Sequence, residues 1–121
     1  MTGKKILIVD DEVAFSENLK GMFEMKGCQA WTAADTAQAL RLFLEIRPDS
    51  CVIDVHLTGS AHDGLEFLQM IRDLDAVSRC VILSCEDDES CKRQAEIIGI
   101  SGYFEKPLAD FAGFMDFVIG A

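Results

Sequence analysis

Five short apolar runs, each followed by a stretch with helical spacing, limit what this chain can fold into more than any other feature. The runs lie near 5–9, 29–33, 50–54, 80–84 and 102–105, and include Ile6, Leu7, Ile8 and Val9 in the first and Cys51, Val52 and Ile53 in the third. Regular alternation of this kind is that of a βαβ series wound into a parallel sheet with helices on both faces. Between the runs, Phe15, Leu19, Met22 and Phe23 form one helical stripe, Leu40, Phe43 and Leu44 a second, and Phe67, Leu68, Ile71 and Leu74 a third. All three stripes are predicted to face the core. Local punctuation agrees: Asp35 is placed as an N-cap of the second helix, Gly27 follows the first and Pro48 the second. The fourth helix, near 88–98, is polar except for Ala95, Ile97 and Ile98, and is predicted to be the most weakly anchored. The fifth, near 109–119, carries Phe111, Phe114, Met115, Phe117 and Val118.

The chain has 121 residues, half of them apolar, which suits one domain around one core. Its net charge of −10 speaks against unaided binding to nucleic acid or to an anionic membrane, and favours metal cations and basic protein patches as partners. Five cysteines, with no C-x-x-C pair, mostly lie in or beside apolar runs and read as small hydrophobes in a reducing compartment. No apolar stretch approaches the roughly 20 residues needed to cross a bilayer, so a soluble, cytoplasmic protein is expected. There is no repeat or linker, and the last helix ends with the chain, so residues 1–121 are expected to form one domain without an output domain.

Right-handed crossovers in an open parallel sheet place the functional crevice outside the carboxyl ends of the strands. Asp10 and Asp11 follow the first run, Asp54 ends the third, Ser84 the fourth, and Lys106 follows the fifth, so all five map to that one edge. Carboxylates gathered there are desolvated beside like charges and call for a cation. Hard oxygen ligands without thiolate or imidazole neighbours suit Mg²⁺. Asp54, alone on its strand, is then the natural nucleophile toward a phosphoryl group, forming an acyl phosphate with Lys106 as a fixed cation and the Ser84 hydroxyl as a donor. The plainer reading makes these acids solvated strand-end or cap residues. It accounts for any one of them and poorly for five coordinated positions.

Taken together, Asp10-Asp11, Asp54, Gly64 at the start of the third helix, Ser84, Tyr103 and Lys106-Pro107 resemble the receiver domain of two-component response regulators, over nearly the whole chain. The resemblance implies a flavodoxin-like, doubly wound sheet of five parallel strands in the order 2-1-3-4-5, with five helices. It implies that a sensor histidine kinase or phosphotransfer protein donates a phosphoryl group to Asp54 in a Mg²⁺-dependent step carried out largely by the receiver itself, which is not otherwise an enzyme. It assigns the metal to Asp11, Asp54 and the backbone carbonyl of His56, with Asp10 acting through a water. It further implies a switch in which Ser84 moves toward the phosphoryl group and Tyr103 swings inward. That motion would reshape the face of the fourth helix, fifth strand and fifth helix for a downstream partner, an output domain or a second copy of the domain. The Lys106–Pro107 bond reads as trans from local sequence and as cis from the resemblance.

Several positions depart from the family pattern. Leu57-Thr58 replaces a common Met-Pro, and Gly59, Ser60, Ala61 and His62 lengthen the following loop by about two residues, which predicts a mobile loop of different shape. Cys85 replaces a smaller residue and is expected to slow phosphorylation by small donors. His56 and Glu86 are candidates for setting the lifetime of the phosphorylated state, although a ring pointing into solvent is the plainer reading of His56. His62 reads as a surface residue. Phe111, Phe114 and Phe117 share one side of the last helix and read first as core, with any exposed remainder a docking patch. A flavodoxin-like nucleotide carrier is disfavoured because Asp10-Asp11-Glu12 would repel phosphate. A phosphohydrolase with a D-x-D pair is disfavoured because Asp54-Val55-His56 lacks the second acid. A receiver fold used only for docking, without phosphorylation, is the remaining rival.

Overall fold

A computed structural model describes residues 3–57, 63–74, 77–84 and 89–120. The elements run β1 (Lys5–Val9), α1 (Val13–Met25), β2 (Gln29–Ala33), α2 (Thr36–Ile46), β3 (Ser50–Asp54), α3 (Gly64–Leu74), β4 (Arg79–Ser84), α4 (Glu89–Ile98), β5 (Gly102–Glu105) and α5 (Phe111–Ile119). All strand pairs are parallel, and the sheet order is β2-β1-β3-β4-β5. This is the parallel sheet that the alternation pointed to, in the flavodoxin-like doubly wound order that the family resemblance implied, with boundaries within one or two residues of those expected.

Alternation along the strands divides the core in two. Leu7, Val9, Cys51, Ile53, Cys80 and Ile82 face one side and pack with Phe43 of α2, Phe67, Leu68 and Ile71 of α3, and Cys91 and Ala95 of α4. Ile6, Ile8, Val52, Val81 and Leu83 face the other, against Leu19 and Phe23 of α1 and Phe114, Met115 and Val118 of α5. Side chains on a strand point alternately to the two faces, so one run of consecutive apolar residues serves both layers.

The helix stripes are narrower than predicted. Leu44 and Leu74 are 46 % and 52 % exposed. In α2 the residues turned to the sheet are Thr36, Ala39 and Phe43, and Leu44, about 100° further round the axis, faces outward. Leu74 is the last residue of α3. Capping follows the sequence: the Asp35 carboxylate accepts from the Gln38 N–H at 2.8 Å, and Gly27 takes the left-handed conformation after α1 (φ 89°). Asp110 accepts from the Gly113 N–H at 2.9 Å, which starts α5 at Phe111 rather than near 109. Cys28, Cys51, Cys80 and Cys91 are buried; Cys85 lies outside the described residues. Among the described residues no helix is long and apolar enough to cross a membrane.

Candidate functional site

β1 and β3 are neighbours, with Val9 opposite Ile53, so the residues that follow each strand's apolar run emerge side by side. These are Asp10, 1 % exposed, and Asp54, 3 % exposed. Each is fixed in the same way. One oxygen of Asp10, Oδ1, accepts from the Glu12 N–H at 2.9 Å, and Oδ1 of Asp54 accepts from the His56 N–H at 3.1 Å. A short acidic side chain bonding the backbone two residues on is a local turn, which fixes the carboxylate without help from distant elements. The second oxygen of each turns to Lys106, whose Nζ lies 2.7 Å from Asp10 Oδ2 and 3.3 Å from Asp54 Oδ2. Glu12 Oε1 is a third partner at 2.9 Å.

Lys106 follows β5, and its N–H donates to the Ser84 carbonyl at 2.8 Å, extending the β4–β5 ladder by one bond. The Lys106–Pro107 bond is cis, and the ammonium lies 4.5 Å from the centre of the Phe15 ring, a cation–π contact. Beside it runs a groove of about 440 Å³ lined by Glu12, Phe15, Lys106, Pro107, Leu108 and Phe111. On the other side, the Gly64 N–H donates to the Val55 carbonyl at 2.9 Å. A Cβ at position 64 would overlap the Asp54 carbonyl, so only glycine lets α3 start this close to the end of β3.

Burial pushes the Asp54 carboxyl up to about 6, and the charge of Asp10 adds to the rise, while Lys106 and the His56 N–H oppose it. For Lys106, burial alone would weaken the ammonium. Hydrogen bonds that it donates to Asp10 and Glu12, together with the charges of Asp10 and Asp54, outweigh it, so the proton is held more tightly than usual. Oxygens of Asp10, Glu12 and Asp54 lie within 4.8 Å of one another. Three carboxylates against one ammonium leave an excess of two negative charges when all are ionised. Hard oxygen donors with that excess fit a divalent cation of the Mg²⁺ type.

An acidic pocket at the carboxyl edge of such a sheet agrees with a wider likeness: the sequence model of the response regulator receiver domain matches residues 6–113. The chain belongs to the response regulator receiver family. It is 31 % identical over 107 residues to sporulation initiation phosphotransferase F of Bacillus subtilis, a match covering 88 % of this chain and 85 % of that protein. Against the phosphate regulon transcriptional regulatory protein PhoB of Pseudomonas aeruginosa it is 31 % identical over 111 residues, 90 % of this chain and 48 % of that protein. The chain thus spans about half the length of that relative. The receiver domain of NtrX from Brucella abortus has the same fold, with a TM-score of 0.86 and 29 % identity over 95 % of this chain and 94 % of that one.

In this receiver domain, the structure brings Asp10, Asp54 and Lys106 together. Asp11 is half-buried and stands outside the converging set. Ser84 is fully buried at the end of β4, one residue beyond Leu83, which pairs with Asp54. Tyr103 lies opposite Ile82; its ring packs on the face shared with α2, α3 and α4, and its hydroxyl is out of solvent. The His56 side chain is exposed, whereas its N–H holds Asp54. Glu86, His62, Cys85 and the lengthened loop at 58–62 lie outside the described residues. In the sequence, Glu12 enters only as part of a phosphate-repelling run; its third consecutive acidic position is the signal that it could join the pocket.

Proposed function

We propose that Asp54 accepts a phosphoryl group from the phosphohistidine of a sensor histidine kinase or phosphotransfer protein, with Mg²⁺ required. The observation that carries this reading is one ammonium, Lys106, bonded at once to two buried carboxylates, Asp10 and Asp54, from separate strands. An Asp54 oxygen attacks phosphorus, a P–O bond forms and the P–N bond breaks, and the departing imidazole keeps the electron pair and takes up a proton. The His56 N–H fixes the orientation of the attacking carboxylate. Lys106 offers a charge for the incoming oxygens without having to move into place. Asp10, Glu12 and Asp54 supply the converging oxygens that would hold the metal, and the family likeness adds Asp11 and the His56 carbonyl. Bound there, Mg²⁺ would offset the charge of the carboxylates and of the incoming phosphoryl oxygens.

The groove beside Lys106, with Phe15 and Phe111 in its wall, offers the donor protein an apolar footing next to the reacting atoms. On the output side, Ser84 and Tyr103 couple the pocket to the face of α4, β5 and α5, which is read by a protein partner, an output domain or a second copy. Incubation with Mg²⁺ and a small phosphodonor, followed by intact-mass measurement, tests the reading. One added phosphoryl group is expected, lost without Mg²⁺ and in Asp54→Asn. No addition in the parent would leave a docking-only receiver fold as the better account, and equal addition in Asp54→Asn would remove Asp54 as the acceptor.

A further inference from the structure

Glu12 is a surface residue tied to a buried one. Its side chain is 59 % exposed, while that of Lys106 is 8 % exposed, yet the two meet at 2.9 Å. An ammonium has three N–H bonds, and Lys106 has a carboxylate for each: Asp10 at 2.7 Å, Glu12 at 2.9 Å and Asp54 at 3.3 Å. The lysine therefore leans toward Asp10 and Glu12 and makes its longest contact with the residue that is to be modified.

We propose that Glu12 is a positioning residue, which holds one N–H of Lys106 at the rim of the pocket while Asp54 is bare and competes for it with an arriving phosphoryl group. The inference rests on the reading of Asp54 as phosphoacceptor. Of the three partners, Glu12 is the one Lys106 leaves at least cost. An exposed carboxylate regains water, whereas a buried Asp10 without its cation would keep an uncompensated charge. Phosphoryl oxygens thus take the place of Glu12.

Two opposite effects follow from this one charge. Toward a divalent cation, Glu12 is one of three carboxylates that draw the ion in. Toward an anion on Asp54, the same charge repels the newcomer and occupies the lysine. Glu12→Gln keeps the length and the acceptor oxygen and removes the charge. A residue that merely supported the fold would, when changed, weaken both ligands together.

Calorimetric titration of the intact chain separates these cases, first with Mg²⁺ and then with beryllofluoride at saturating Mg²⁺, for the parent, Glu12→Gln and Glu105→Gln. Glu105 is an exposed acid at the end of β5, so its change alters net charge equally without touching the Lys106 ammonium. In Glu12→Gln the Mg²⁺ dissociation constant should rise, and that for beryllofluoride should fall, each by about three- to ten-fold. Glu105→Gln should leave both within about twofold. Unchanged constants in Glu12→Gln, weakening of both, or an equal response in Glu105→Gln would overturn the role of Glu12 and leave Asp54 as phosphoacceptor. Absence of beryllofluoride binding in the parent would instead overturn the phosphoacceptor reading and this inference with it.

Discussion

Helices α4 and α5 flank the last strands of the sheet on opposite faces, and they are held very differently. From α5, Phe114, Met115, Val118 and Ile119 are buried. Phe104 of β5 sets its ring edge-on to Phe114 and Phe117, at centroid distances of 5.1 and 5.3 Å. The last turn of α5 is also bonded to the sheet: Ser50 Oγ donates to the Val118 carbonyl at 2.7 Å and Arg79 Nε to the Phe117 carbonyl at 2.8 Å. By contrast, α4 buries only Cys91 and Ala95, and its Ile97 is 85 % exposed. Few buried apolar contacts mean a low free energy for local rearrangement. β5, which carries Tyr103 and leads into Lys106, thus has a fixed side and a loose one, and a change of charge at Asp54 should be expressed on the loose side. The phenylalanines of α5 serve mainly as that fixed side, with Phe114 in the core and Phe111 and Phe117 half-buried.

The largest contrast should come from truncation on the fixed side. Phe114→Ala is expected to cost about 3–5 kcal/mol of stability in urea denaturation. If it costs no more than changes in α4, the two helices are not unequal as described. Next, the pocket should store repulsion that belongs to neither helix. The Asp54 carboxyl is raised from 3.8 to about 6, so the folded chain binds more protons than the unfolded one between these values. In metal-free buffer stability should therefore fall as pH rises from about 4 to 6 and then level off, by at most about 3 kcal/mol. Asp54→Asn should flatten that fall and be more stable than the parent above pH 6, as followed by thermal unfolding across pH. A parent profile that rises over this range would remove the claim of stored repulsion. The smallest effect is expected on the loose side, where Ala95→Gly should lower stability by about 1 kcal/mol while speeding amide exchange in α4 and leaving α5 unchanged.

Much of this was legible in the sequence because buried parallel strands and amphipathic helices have distinct periods, and because topology alone brings the strand ends to one edge. Asp10, Asp54 and Lys106 follow from that placement. The finer parts depend on side-chain direction and reach, which spacing does not record. Of the adjacent acids, Asp10 is fully buried with its carboxylate turned into the pocket, while Asp11 stands half-buried outside the cluster. Glu12 enters the pocket from the exposed start of α1 because its longer side chain spans the distance to Lys106. Leu44 fits a helical period yet sits just off the face that meets the sheet, and Leu74 fits it but is the last residue of α3. The cis bond before Pro107 goes against the local preference for trans and was indicated only by family likeness.

Amide hydrogen exchange of the parent and Asp54→Asn, each in Mg²⁺ with and without beryllofluoride, bears most directly on the link from pocket to surface. In the parent, exchange should change across Glu89–Ile98 and Gly102–Glu105 and stay constant across Phe111–Ile119, and Asp54→Asn should show no response. Unaltered exchange in α4 and β5 of the parent, or the same change in Asp54→Asn, would contradict it.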